Sequence, residues 1–333
     1  LGTKLKSILQ YLGLIAITTA LLWLSLRGLN VEGGDKSEFI WNAWKKSDKG
    51  YLMLMALIAM ISHVLRAVRW KMLLVPTGNK VTLGNSFLSL MIGYLVNMAV
   101  PRGGEVSRCY NLYKLEKTPV EVSFGTVVVE RLVDLVCLIL LIGLSFFVEW
   151  KKLKGFIDTL NFSSSSGSSV SIWIFVALAF IIGLGVGIFL LRNNQKLKKI
   201  LFGFKEGLLA VFRLENKVLF IFYSIAIWSL YFLMSYFVVL AFPETRELGY
   251  GAVLTLFAIG AIAMAAPLPG GAGSYHALVP LGLVMLYNLP KADAIAFVFI
   301  FHGWQTLIMI IGGVVSLIIS YLIIRWKKAP TKL

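Results

Sequence analysis

Six ionisable residues crowd into two otherwise apolar stretches. In "NMAVPRGGEVSR" (97–108), Arg102, Glu105 and Arg108 recur every three residues, behind a break made by Pro101, Gly103 and Gly104. In "VVVERLVDLVCL" (127–138), Glu130 and Asp134 are four apart with Arg131 between them. On helices, residues three and four apart share a face, so each set presents its charges together. An ionisable group at mid-membrane costs roughly 2.5–3.5 kcal/mol on insertion scales, so these six need partners or a polar path. Arginine forks bind phosphate oxygens in pairs, and carboxylates can orient the forks or meet a cationic headgroup. Two readings follow: a pathway for a charged lipid headgroup, and an ion-pair network that holds one hairpin against the next helix.

The rest of the sequence argues for a bilayer around those charges. Of 333 residues, 58% are hydrophobic and 14% charged, with a mean hydropathy of +0.83. Several apolar runs reach the ~18 residues that a membrane span needs. Spans are expected near 5–26, 51–73, 123–148, 170–191, 217–241 and 293–324. The first has no A-x-A-like cleavage site and reads as a transmembrane helix rather than a signal peptide. No polar block is long enough to fold as a soluble domain. Residues 28–50, with Trp41 and Trp44, suit the membrane interface, and 195–214 read as an amphipathic helix on an anionic leaflet. Arg66 and Arg69, near the end of the second span, read as snorkelling side chains.

The net charge of +16 does not point to nucleic acid, because its distribution follows the membrane. Grouping the N-terminus with 66–80, 102–131, 192–217 and 325–333 puts 22 of the 32 Lys and Arg on one side, the expected cytoplasmic side, with both termini there. Residues 84–100 and 251–268 then begin hairpins that enter from opposite faces and turn back at Pro/Gly breaks, 101–104 and 267–273. Broken backbone at that depth requires burial in protein or a wet cavity, which favours re-entrant hairpins over paired full spans.

A shift of 167 residues lays "LGNSFLSLMIGYLVNMAVPRGG" (83–104) over "YGAVLTLFAIGAIAMAAPLPGG" (250–271) and superposes four glycines, Gly103 on Gly270 and Gly104 on Gly271 among them. The expected fold is therefore all-α and polytopic: about six transmembrane helices plus two broken hairpins in an inverted-topology repeat. The first repeat is 1–160, a serine-rich linker is 161–170 and the second repeat is 171–333. Such repeats place a site at the bilayer midplane, where glycine tips permit close approach or positive φ and free helix-start amides suit an anion.

Enzymatic signatures are missing from this pattern. Cys109 and Cys137 suggest neither a disulfide framework nor metal ligands; His63, His276 and His302 form no metal motif; there is no GxxxxGK[ST]; and Ser274 with His276 is too weak a pair for a nucleophile and base. No catalytic activity and no cofactor are expected.

"RAVRW" (66–70), "N…PRGGEVSR", "ERLVDL" (130–135) and "PLPGGAGSYHAL" (267–278) together resemble the lysylphosphatidylglycerol synthetase transmembrane, or flippase-like, domain family, over about 5–325. The resemblance implies lipid translocation in the bacterial cytoplasmic membrane, with members accompanying aminoacylated phospholipid, hopanoid or polyprenyl-linked sugar pathways. The aminoacyl-transfer domain of the larger synthetases has no counterpart here. Where the family pattern has an acid after the second glycine break, this chain has Ser274, Tyr275 and His276. Carried over by residue, the implied pathway is Asn97, Arg102, Glu105, Arg108, Glu130, Arg131 and Asp134, with the Pro267–Gly273 tip including Pro269, Gly270 and Gly271, then Tyr275 and His276. The expected partners are membrane lipids with a phosphate or charged headgroup, and lipid-synthesis enzymes. The alternatives are an integral-membrane enzyme acting on lipid headgroups and a non-catalytic subunit of an envelope-lipid complex.

Overall fold

The computed structural model describes residues 16, 18–27, 35–152, 154, 195–266 and 268–327. The serine-rich tract, the span expected at 170–191, most of the first span and Pro267 lie outside the described residues. Every regular element among the described residues is helical. A helix at 18–27 (α1) is followed by α2 (Lys36–Lys46), α3 (Lys49–Leu74), α4 (Leu83–Ala99), α5 (Gly103–Glu116) and α6 (Val120–Val148). Then come α7 (Gln195–Leu209), α8 (Lys217–Ala241), α9 (Tyr250–Ala265), α10 (Ser274–Tyr287) and α11 (Lys291–Trp326). Three of these, α3 (running on to Thr77), α8 and α11, are long and apolar enough to cross a membrane. The chain is an integral membrane protein.

Local chemistry fixes the helix ends. Asp48 caps α3 by accepting from the Gly50 amide at 2.8 Å, Thr82 caps α4 through Asn85, and Asn216 caps α8 through Leu219 at 2.8 Å. Lys117 ends α5 and Asn288 ends α10, both left-handed, and a proline two residues later (Pro119, Pro290) starts the next helix.

The set α3–α4–α5–α6 has the same order as α8–α9–α10–α11, and the two sets interlock. α3 packs on α8, α6 packs on α9, and α11 packs on α4. One apolar core, including Leu52, Met55, Val238, Val253, Leu283 and Val298, joins α3 to the second set. A smaller cluster of Trp70, Leu74, Cys109, Leu112 and Val127 binds α3, α5 and α6. Of the interface segment, Trp44 packs on Trp304 at 5.7 Å while Trp41 stays exposed. The expected surface helix, α7, is seated against α6, with Gly207 against Gly125 and Phe204 6.3 Å from Phe124.

Both breaks form as turns between helices, by different means. In the first, α4 ends at Ala99 and α5 begins at Gly103, and the residue with positive φ is Arg102 (φ 62°), not a glycine. Gly104 serves close approach instead: a Cβ there would sit 2.1 Å from the Gly93 carbonyl oxygen. The second turn is longer and uses glycine for conformation, with Gly270 at φ 57°, Gly271 at 72° and Gly273 at 90°. Pro269 opens its single short helical turn. Leu83 and Tyr250 open the two hairpins 167 residues apart, whereas Gly103 and Ser274 open the return helices 171 apart. The constant shift in the sequence therefore fails beyond the tips by four residues.

Candidate functional site

Four arginines and three carboxylates from α3, α5 and α6 meet in one ion-paired cluster. Arg69 Nη2 lies 2.7 Å from Asp134 Oδ1 and 3.6 Å from Glu130 Oε1. Arg108 Nη2 donates to Glu130 Oε2 at 2.5 Å. Arg66 reaches Asp134 at 3.5 Å, and Arg131 lies 3.5 Å from Glu105 and 3.9 Å from Asp134. Periodicity explains the convergence: Glu130 and Asp134, one turn apart on α6, meet Arg66 and Arg69, three apart on α3.

Burial is graded across the cluster. The side chains of Arg69 and Glu130 are 0% exposed and that of Arg108 is 3%. At the other end, Arg131 is 41% exposed and Asp134 19%. The cluster is thus exposed at Arg131 and enclosed at Arg69, Glu130 and Arg108. The enclosed end is held by aromatic and hydroxyl groups. Arg108 lies 4.6 Å from the centre of the Trp70 ring, whose Nε1 donates to Thr126 at 3.0 Å. Arg69 also donates to Ser224 and Arg66 to Tyr231, both on α8, each at 3.3 Å.

Charge does not cancel within the cluster. Four guanidinium groups face three carboxylates, leaving an excess of one positive charge. Donors are also in excess: Nε and Nη1 of Arg108, Nε of Arg66 and the Tyr94 hydroxyl are buried without a hydrogen-bond partner. Tyr94 lies beside His63, with ring centres 4.8 Å apart and the planes tilted, and beneath Arg66 at 5.6 Å, so the unused donors of Arg66 and Tyr94 border one region between α3 and α4.

The tips add positioning groups. Asn97 Oδ1 accepts from the Gly104 amide at 2.8 Å and closes the start of α5 onto α4. With Gly103 N bonded to the Val100 carbonyl, two amides expected to be free for an anion are used by the chain itself. Arg102, expected on the face of Glu105 and Arg108, lies outside the helix because of its left-handed backbone. Its Nη2 donates to the Ala265 carbonyl at the end of α9, 2.9 Å away, which ties the two tips together; Met98 lies against Gly270 beside it. Arg66 and Arg69, read as snorkelling, are instead central. Their signal was in the sequence: two arginines three apart, followed by Trp70, on the helix that precedes the first hairpin. Tyr275 and His276 are buried near the second tip, in contact with His302 and not with the charge cluster.

The family described as lysylphosphatidylglycerol synthase TM region matches residues 11–313, which contain the whole cluster and both tips. The chain belongs to this family. A relative from Methanocaldococcus jannaschii, UPF0104 membrane protein MJ1595, is 36% identical over 87 residues; the match covers 25% of this chain and spans about a quarter of that relative (26%). No solved structure matches.

Within this member of the synthase transmembrane family, the second helix set lacks the charges of the first. Arg108 is the sixth residue of α5, and the sixth of α10 is Val279; Glu130 is the eleventh of α6, and the eleventh of α11 is Phe301. Val279 and Phe301 line a small void with Phe297 and Tyr275. Among the described residues, no three His, Cys, Asp or Glu side chains are grouped to hold a metal.

Proposed function

We propose that the protein carries a phosphate-bearing lipid headgroup across the membrane along the arginine cluster, while the lipid's apolar chain stays in the bilayer. The observation that carries this reading is the pair of buried, unpartnered donors on Arg108, in a cluster with one more guanidinium than carboxylates. A buried donor left unsatisfied costs about 1–3 kcal/mol, and a phosphate oxygen would satisfy the free donors of Arg108 while balancing the surplus guanidinium. The graded burial from Arg131 inward supports an entry route, and family membership supports a lipid-related role. The interlocked helix sets, with α6 on α9 and α11 on α4, support an inverted repeat of re-entrant hairpins, and the bias of Lys and Arg to one side supports cytoplasmic termini. In that arrangement the first set binds the headgroup and the apolar second set is its scaffold. The dryness of Glu130 and Arg69 favours one rival, in which the cluster only locks α3, α5 and α6 together.

Purification in mild detergent followed by mass spectrometry of bound lipid separates the two. A phosphate lipid should be retained by the wild type and lost from Arg108→Ala, while Arg102→Ala, at the tip, retains it. Equal retention by wild type and a folded Arg108→Ala leaves only the locking role.

A further inference from the structure

The second tip carries a polar device that the arginine cluster does not use. His276 on α10 and His302 on α11 are 5% and 7% exposed, with ring centres 4.8 Å apart and nearly perpendicular. His302 Nε2 lies 3.1 Å from the Gly270 carbonyl oxygen. A carbonyl only accepts, so Nε2 carries the proton and straps the tip to α11. His276 Nδ1 is buried with no hydrogen-bond partner. Ser25 of α1 donates to the His276 carbonyl at 2.9 Å, and Leu21 lies against Gly273, so α1 covers the same tip. Three left-handed glycines make this turn, and the tip contacts Met98 of the first hairpin.

We propose that His276 and His302 form a proton-binding site, and that proton uptake there is linked to release of the second tip from α11. One proton from water binds an imidazole nitrogen, the free Nδ1 of His276 being the open position, and the site gains one positive charge. Among the described residues, no carboxylate faces it. On α10 the adjacent titratable group is Tyr275, and Phe299 covers His276 at 4.4 Å. α9 and the tip carry no charged residue, and the first charges along α11 in either direction are Asp293 and Arg325. From α1 the nearest charge in sequence is Arg27, which lies over Trp23, and from the first hairpin it is Arg102, bonded to Ala265. Among the described residues every nearby charge is therefore positive or distant, and an imidazolium in the closed site is unpaired and nearly closed off from solvent. Opening hydrates it. A proton that binds the open form better must, by linkage, favour opening. The proton thereby becomes a candidate coupling ion for movement of the tip.

Reactivity of a cysteine at Ala272 tests this without any lipid substrate, so its outcome is separate from that of the headgroup reading. Ala272→Cys is made in a chain with Cys109 and Cys137 replaced by alanine. Thiol modification is followed from pH 7.5 to 5.5 and normalised to an exposed control, Lys80→Cys, to remove the thiolate effect. Normalised reactivity should rise on acidification by up to about tenfold per pH unit, the limit for one linked proton. His302→Gln preserves an N–H for the Gly270 carbonyl without titrating, and His276→Gln removes the open nitrogen; the rise should vanish in at least one of them. A flat profile in the unsubstituted background, or a rise that persists in both glutamine variants, overturns the proposal.

Discussion

Glu130→Gln is the most informative single change to the cluster's energetics. The carboxylate is fully buried and accepts from Arg108 at 2.5 Å with Arg69 3.6 Å away, so neutralising it leaves two buried guanidinium groups with less compensation. The cluster's excess charge rises from one to two. Removing one partner of a buried pair costs about 3–5 kcal/mol, with Asp134 still paired to Arg69 pulling this case toward the lower end. Arg108→Met should cost a similar amount, because it leaves Glu130 dependent on Arg69. The double variant restores the excess to one and should be more stable than the two losses added together, by at least about 2 kcal/mol. Equilibrium unfolding in mixed micelles, read by tryptophan fluorescence, measures all three. Strict additivity within about 0.5 kcal/mol would show that Arg108 and Glu130 do not compensate each other, and the electrostatic account of the site would fail.

Gly104→Ala should destabilise by about 1–3 kcal/mol, since the new Cβ meets the Gly93 carbonyl and the Asn97 side chain; wild-type thermal stability would show that the α4–α5 contact is misdescribed. Glu116, at the end of that hairpin, is partly buried, which raises its pKa, but bonds from Asn85 and Thr82 and the charge of Lys327 outweigh this and hold it below the usual 4.5. Its contribution is therefore complete above about pH 4.5 and lost as pH falls through the depressed value, so the stability gap between wild type and Glu116→Gln should close on acidification, and a constant gap down to pH 3 would contradict it. Single cysteines at Lys80 and Glu247, in the exposed loops that precede the two hairpins, should react with an impermeant reagent from opposite faces of sealed vesicles; labelling from one face would exclude the inverted arrangement.

Length and hydropathy made the long helices legible: α3, α8 and α11 fall within two residues of the spans read from apolar runs, because little but a membrane core selects such runs. The hairpin breaks were legible from Pro and Gly, and the pairing of Arg108 and Glu105 with α6 from helical spacing. Three features were hidden. Arg102 adopts positive φ, which bulky residues rarely do, so nothing in its type announced that it would leave the face of Arg108 and cross to Ala265. The four-residue difference between the tips was masked by glycines that superpose at a constant shift but play different parts, close approach at Gly104 and backbone conformation at Gly270 and Gly271. Arg66 and Arg69 were misread because an arginine near the end of an apolar helix usually reaches for the interface; their three-residue spacing before Trp70 hinted at a shared buried face, and the packing of α3 against α6 and α8 shows it.

If the arginine cluster handles a lipid phosphate in transit, headgroup movement in proteoliposomes measures it directly, followed by reduction or enzymatic modification of the exposed headgroup. Wild type should move a phosphate lipid well above protein-free vesicles. Arg108→Lys, correctly folded, should be impaired despite its charge, because an ammonium neither stacks on Trp70 as a guanidinium does nor forks to two phosphate oxygens. Movement by folded Arg108→Lys and Arg108→Ala at the wild-type rate would contradict the assignment of the cluster, and no movement by well-folded wild type of any phosphate lipid offered would contradict the account as a whole.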